Sequence, residues 1–586
     1  MKRWFVVMIA GWMIGAGAVA AQEVQSTEKI SSRLQADMVA ADTASFTVWI
    51  YFTDKDRSQG AYRKAAGVLA DRARLRRSDI PTDWYDLPVT AAYCDTIAAL
   101  GGEIRRTSRW MNAVSARLTA DQVNRAADLA FVRLIEKVLV LSRPLGPEIP
   151  SLESQILIDS ADYGPSYTQV HMLDVDSLHR LTIPSADTTV PLNGAGVLMA
   201  FFDTGFLLSH PSFDSINVLD TWDFINDDAT VDDNQPVDEQ RDHGTAVLSA
   251  AAGFAPGNLI GPAYGADFIL AKTELTAQEF QIEEDNWVAA AEWSDSLGAD
   301  IISTSLGYND WYTYADMDGR TAVTTIAAEI AASRGILVIN CAGNEGTNSW
   351  HYIIAPADGD SVVAVGAVDA TGVIIPFSSW GPTYDGRIKP DVVAMGSGVR
   401  SAYYQGGYAS RSGTSLSTPL ISGSAALMLQ ANPVLRGKPD LSKKRLTMSA
   451  NKYDNPDYHY GYGLPDMVLA AGFGLKIMPV GPITISVFRD TTIVFNALGP
   501  TTPTVVFQSI DLPPEADFVN LGDGVATMSF SLRTVGGGTY RVTAHAGSYA
   551  DTLEFVVTGT GSGDEVSVGP NPFADSLRVY FGGEAS

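Results

Sequence analysis

Two cysteines in 586 residues, Cys94 and Cys341, exclude a disulfide framework and a thiolate metal site. Cys341 stands in the apolar run GILVINCAGN, the pattern of a buried strand, and reads as a small core residue. A catalytic cysteine is the sharper alternative, but nothing in that run would lower its pKa. Basic residues are scarce as well. The 40 Lys and Arg face 67 Asp and Glu, a formal charge of −27, which argues against nucleic acid or an anionic membrane as partner and fits a soluble protein that stays dispersed outside the cell. Past the N-terminus no segment is long and apolar enough to cross a bilayer. No solenoid-type repeat is present. With 46% hydrophobic and 18% charged residues the chain is of ordinary globular composition, and it is too long for one core.

What is present divides the chain into units. The start MKRWFVVMIAGWMIGAGAVAAQE has a basic end, an apolar stretch and small residues at Ala18 and Ala20, which predicts a signal peptide over residues 1–20. A membrane anchor is the competing reading, but the stretch is short and no basic stop-transfer flank follows. Residues 21–44 are polar and read as a flexible leader, and 45–140 as a compact α+β domain. Within it SFTVWIYF, MNAVSARL and FVRLIEKV are predicted strands. YRKAAGVLADRARLRR, AAYCDTIAALGG and TADQVNRAADL are predicted helices. A Pro- and Ser-rich linker over 141–157 precedes residues 158–473, where apolar strands alternate with helical stretches at 244–252, 283–297, 321–334 and 415–430. Continuous apolar strands between helices predict an α/β fold with a parallel sheet covered on both faces. Residues 475–559 carry short strands punctuated by Gly, Pro, Asp and Asn, an all-β sandwich of immunoglobulin-like size, and 560–586 form a Gly/Ser linker and a tail.

Three stretches of the α/β region carry chemistry. MAFFDTGF puts Asp203 where an apolar strand ends in a turn, DHGTAVLSAAAG puts His243 just before a helix of small residues, and SGTSLSTP puts Ser415 at a helix start. A serine hydroxyl is a poor nucleophile until an imidazole takes its proton, and a carboxylate holds that imidazole in the right tautomer. Backbone N–H groups and the dipole at a helix start favour a developing oxyanion. NCAGNEG adds Asn344 after a buried strand, as a turn residue or as a side-chain donor to the oxyanion. Each stretch has a bland reading: a strand-end turn, a helix start, a Ser/Thr cap. The order Asp, His, Asn, Ser on these elements favours the chemical one.

Over about 155–473 the chain resembles the subtilisin-like serine peptidases. The quartet of motifs is Asp203-Thr204-Gly205, His243-Gly244-Thr245, Ala342-Gly343-Asn344 and Gly413-Thr414-Ser415-Leu416-Ser417-Thr418-Pro419. The resemblance implies Asp203, His243 and Ser415 as the catalytic triad and Asn344 as oxyanion donor. Ser305, Leu306 and Gly307 of ISTSLGYND would pair with the substrate backbone by β-augmentation. An ordinary sheet strand with a glycine turn also fits that stretch. Two positions depart from the family: Ala246 stands where a second histidine often follows His-Gly-Thr, and Leu420 where a histidine often follows the proline of the serine helix; neither position takes part in proton transfer. The family builds its first specificity pocket around IIAPADGD, where Ile354 would narrow it.

The flanks follow the same likeness. Residues 45–140 resemble the inhibitory propeptides of these enzymes, a domain that would chaperone folding, plug the cleft and be cut away; a small structural domain is the bland reading. Residues 475–559 resemble immunoglobulin-like modules, and VGPNPFADSLRVYF resembles the opening of a type IX secretion sorting domain. The acidic stretch DTWDFINDDATVDDNQPVDEQRD is of a kind that binds structural Ca²⁺, and equally of a kind that is merely solvated, so the metal ligands are left unassigned. The expected function is a secreted serine endopeptidase, made as a proenzyme and exported by a Gram-negative bacterium, with protein or peptide substrates, its own propeptide as inhibitor and no cofactor in the chemistry. A non-catalytic surface or adhesion protein on a peptidase scaffold is the alternative. A subtilisin-like esterase or peptide ligase would use the same site.

Overall fold

The computed structural model describes residues 29–40, 45–138, 162–185, 188–232, 240–276, 282–478, 483–486, 491–500, 505–511, 516–522, 524–530, 538–558 and 579–581. The signal-peptide stretch, the 141–157 linker and the Pro-Asn-Pro-Phe tail motif lie outside these residues.

The first unit is a four-stranded antiparallel sheet in the order Glu103–Ser108, Ala113–Thr119, Ser45–Phe52, Val132–Lys137. The alternation in SFTVWIYF turns Phe46, Val48, Ile50 and Phe52 onto one face, where they meet Val114, Ala116, Leu118 and Ile135. The Ala120–Ala127 helix covers that face and starts with a capping box, Thr119 accepting from Gln122 N–H while the Gln122 side chain accepts from Thr119 N–H. Two readings need correction. The polar leader contains a helix, Ser32–Ala40, which buries Leu34 in this core. The stretch predicted as one helix is two, Gln59–Val68 and Asp71–Arg76, because Leu69 and Ala70 are extended and Ala70 N–H bonds to the Ser296 carbonyl instead of a helical one.

The α/β fold predicted for the second unit is present. Its seven parallel strands run in the order Val392–Met395, Val363–Val368, Leu337–Cys341, Ile301–Thr304, Leu198–Asp203, Asp267–Lys272, Asn217–Asp223. The central strands are buried along their whole length, as continuous Val/Ile/Leu/Phe runs require when helices cover both faces. Helices Asp242–Ala252 and Thr414–Ala431 share one apolar cluster with Phe201, Phe268 and Val365, while Ile282–Leu297 and Val323–Ser333 share another with Ala200, Phe202 and Ile302. From Leu198–Asp203 the chain proceeds first to one side of the sheet and then to the other. Its carboxyl end is therefore a topological switch point, where open α/β sheets hold their sites.

The third unit is all β. One sheet orders Lys476–Met478, Thr491–Leu498, Val525–Phe530 and Asp517–Gly522, and the other Ile483–Ser486, Tyr549–Thr558, Gly538–Ala546 and Val506–Asp511. They enclose Phe495, Phe507, Met528 and Val542. Part of the stretch read as a tail, Val579–Phe581, pairs with Thr491–Ile493 and so belongs to the first of these sheets. Among the described residues no helix is long and apolar enough to cross a membrane.

Candidate active site

Register brings three strand ends together. Thr304 lies between Phe202 and Asn340, so Asp203, Ser305 and Cys341 follow side by side at one carboxyl edge. Asp203 is fully buried. Its Oδ1 accepts from Thr204 N–H at 2.8 Å, from Thr204 Oγ1 at 3.2 Å and from His243 Nδ1 at 2.7 Å. The carboxylate thereby directs the other ring nitrogen of His243 away from itself. Close packing here needs glycine: a Cβ on Gly244 would lie 2.2 Å from the Gly205 carbonyl and 3.0 Å from Asp203 Cβ.

Ser415 is the second residue of the Thr414–Ala431 helix. The N-cap is Gly413, which has no side chain to offer, so the Ser/Thr cap reading fails at this helix start. The orphan N–H of Thr414 is taken instead by Asn344 Oδ1 at 2.9 Å, and Thr414 Oγ1 donates to the same oxygen at 2.9 Å. With Oδ1 occupied, the Asn344 amide is held in one orientation. Its Nδ2 is on the Gly413 side, 3.7 Å from where a Cβ on that glycine would sit. Farther along, Pro419 stands inside the helix and lacks the N–H that would bond the Ser415 carbonyl. Ser305 Oγ fills the gap at 2.8 Å, and Ser415 Oγ donates back to the Ser305 carbonyl at 3.4 Å.

Beyond Ser305 the chain leaves the strand and runs to an isolated antiparallel bridge between Tyr308 and Ala355. Leu306 is buried and its carbonyl accepts from Asn340 Nδ2 at 3.1 Å, whereas Tyr308 exchanges hydrogen bonds with Ala355 at 2.8 and 3.1 Å. Ile354 is wedged between two glycines: a Cβ on Gly307 would lie 2.4 Å from its Cδ1, and one on Gly343 3.0 Å. Cys341 is 3% exposed, and burial pushes its thiol up to about 12, which removes it as a nucleophile at neutral pH.

Two residues of the site, Gln240 and Thr414, carry no signal of their own in the sequence. Gln240 is buried, donates to the Thr204 carbonyl at 2.6 Å and to the Glu274 carbonyl at 2.7 Å, and so ties the Asp203 turn to the next strand end. Thr414 was read only as part of a motif. In the described part of the acidic stretch, Asp223 serves its own turn, accepting from Ile225, Asn226 and Lys272, and Asp228 accepts from Thr230. No group of three His, Cys, Asp or Glu able to hold a metal occurs among the described residues, which do not include 233–239.

The α/β unit is a subtilisin-like fold of the serine-type endopeptidase class, on the following matches. Residues 194–463 match the Subtilase family and 47–147 the Peptidase S8 propeptide domain of Bacteroidota, so both domains are present in the chain. Subtilisin E of Bacillus subtilis is 27% identical over 380 residues, 64% of this chain and 85% of the relative. The alkaline protease of Shouchella clausii is 28% identical over 308 residues, 52% of this chain and 73% of the relative. Subtilisin-like protease SBT6.1 of Arabidopsis thaliana is 31% identical over 291 residues, 47% of this chain, but the chain spans only 26% of that larger protein. Among solved structures, fervidolysin from Fervidobacterium pennivorans superposes with a TM-score of 0.50 at 18% identity, over 86% of this chain and 71% of that one, a likeness of fold.

Proposed function

We propose that the chain is an exported serine endopeptidase, made as a proenzyme, with Asp203, His243 and Ser415 as its triad. The observation that carries this reading is the 2.7 Å bond from His243 Nδ1 to the buried Asp203 carboxylate, at the sheet edge that also carries Ser305 and, bonded to it, Ser415. His243 Nε2 takes the Ser415 proton as the hydroxyl attacks the scissile carbonyl. Asp203 stabilises the imidazolium without itself being protonated. Asn344 Nδ2 and the Ser415 backbone N–H hold the oxyanion, His243 returns the proton to the leaving amine, and water releases the acyl group by the same route. The chemistry uses no cofactor. Calcium, where bound, would be structural.

The substrate lies along Ser305-Leu306-Gly307. Since the Leu306 carbonyl turns inward to Asn340, alternation along the chain gives the Ser305 carbonyl and the Gly307 peptide groups to the substrate, with Leu306 as wall. Ile354 between Gly307 and Gly343 shortens the adjoining pocket and favours small residues before the scissile bond. The first unit acts as intramolecular inhibitor until cut. The C-terminal β unit is an immunoglobulin-like spacer or binding module, the N-terminal stretch a signal peptide of a Gram-negative bacterium, and the tail a sorting signal.

Wild-type protein should take a fluorophosphonate label and release its propeptide. Ser415→Ala should do neither, and full activity in that variant would sink the assignment.

A further inference from the structure

The propeptide domain docks on the Ile282–Leu297 helix through charge. Residues 45–138 hold 15 Lys and Arg against 11 Asp and Glu, in a chain whose totals are 40 and 67. Three carboxylates of that helix, Asp285, Glu292 and Asp295, are buried by it. Glu292 accepts from Ser108 Oγ at 2.6 Å, Trp110 N–H at 3.1 Å and Arg109 N–H at 3.2 Å, gripping the hairpin turn by its backbone. Asp295 pairs with Arg76, with Arg109 at 3.0 Å and with Arg77 at 3.4 Å, while Asp285 accepts from Arg105 at 3.3 Å. Asp285 Oδ1 is buried with no hydrogen-bond partner among the described residues. Trp110 itself is 1% exposed and shares a cluster with Trp287, Val288 and Ala291 of the same helix.

We propose that this face becomes an exosite once the propeptide has left: it captures segments of protein substrates that carry arginines next to a tryptophan. The proposal rests on the proenzyme reading above. The propeptide stretch 103–111, EIRRTSRWM, is the template for the ligand. Its departure leaves three carboxylates without their cations and opens an apolar seat beside them. Such a surface regains most from a ligand that supplies both a guanidinium and an indole, because guanidinium forks match carboxylates and a buried aromatic anchor contributes most of the contact energy. An acidic or purely aliphatic segment leaves the carboxylates unpaired.

The test uses the full chain, allowed to process itself, with the mature form separated from its propeptide and blocked at its serine by a fluorophosphonate. A fluorescent peptide of residues 103–111 should bind saturably, more weakly as salt rises. Replacing its three arginines, or its tryptophan, by alanine should weaken binding about tenfold or more. On unblocked enzyme, fusing the peptide to a protein substrate should lower KM several-fold at constant kcat. That advantage should vanish in a Glu292→Gln/Asp295→Asn variant that still cleaves a short peptide normally. If the double variant fails to mature, the peptide-side substitutions on wild-type enzyme decide alone. Equal binding of the arginine-free peptide, or no binding to enzyme that labels normally, overturns the exosite. A chain that stays uncut and unlabelled overturns the peptidase reading, and the exosite with it.

Discussion

Ser305 Oγ donates at 2.8 Å to the Ser415 carbonyl, the one helical acceptor that Pro419 leaves without its N–H partner. The proline and the serine are thus complementary: one removes a donor inside the first turns of the helix and the other, from a neighbouring strand end, replaces it. Ser305→Ala should leave a buried carbonyl unpaired and cost about 1–3 kcal/mol of stability, with a fall in kcat as Ser415 loses its anchor. Pro419→Ala, which restores an N–H aimed at the same oxygen, should recover part of both losses in the double variant. Thermal unfolding and single-turnover kinetics measure the two effects separately, and additive losses would show that the two groups do not share that oxygen.

Asn344→Ala should lower kcat by about 10²–10³-fold and leave KM nearly unchanged, as for an interaction made only with the oxyanion. Thr414→Val keeps the backbone bond to Asn344 Oδ1 but removes the hydroxyl one, and should give a smaller loss in the same parameter. Steady-state kinetics on a peptide substrate would decide, and a pure KM effect would point to substrate binding instead.

Ile354→Ala should open the space between Gly307 and Gly343. The expected change is a shift from small residues toward Leu and Phe immediately before the scissile bond, by about tenfold or more in relative kcat/KM. The same deletion of buried methyl groups should cost about 2–4 kcal/mol, so specificity is read at low temperature from a peptide library. An unchanged cleavage profile would remove Ile354 as the determinant.

Asp285 predicts a pH dependence for propeptide release. Burial under the first unit, only partly offset by Ser115 and Arg105, raises its carboxyl to about 6. A carboxylate whose pKa is higher in the complex binds more protons there, so association strengthens as pH falls through about 6 toward the ordinary carboxylate range and weakens as pH rises back through about 6, levelling off above it. The ionised Asp285 costs the neutral complex at most about 2–3 kcal/mol. Asp285→Asn should therefore tighten propeptide binding near pH 7 and flatten its pH profile, as calorimetry at several pH values would show. A profile steeper than wild type would contradict it.

The motif residues could be picked out in the chain because short-range chemistry marks them. An acid at the end of an apolar strand, a histidine before a run of small residues and a serine before LISGSAALML each announce an element boundary. Asn344 was visible for its position after a buried strand, yet its orientation was not: the two bonds from Thr414 span 70 positions of sequence. Gln240 carried no signal at all, since a glutamine in an acidic stretch looks solvated until the fold encloses it. The break at Leu69–Ala70 was hidden for a similar reason, as the Ser296 carbonyl that captures Ala70 lies in another unit.

The sequence by itself determined the strand and helix pattern, the parallel sheet that continuous apolar strands demand, and which side chains stand at strand and helix ends. Those properties depend on periodicity and on neighbours a few positions away. Only the tertiary structure decided what Asp285, Glu292 and Asp295 do. On their own helix they read as an ordinary polar face, and the groups that desolvate and pair them come from residues such as Ser108, 184 positions earlier. Burial of a charge is a property of the assembled surface, where desolvation and counter-charge arrive together, and no local pattern encodes it.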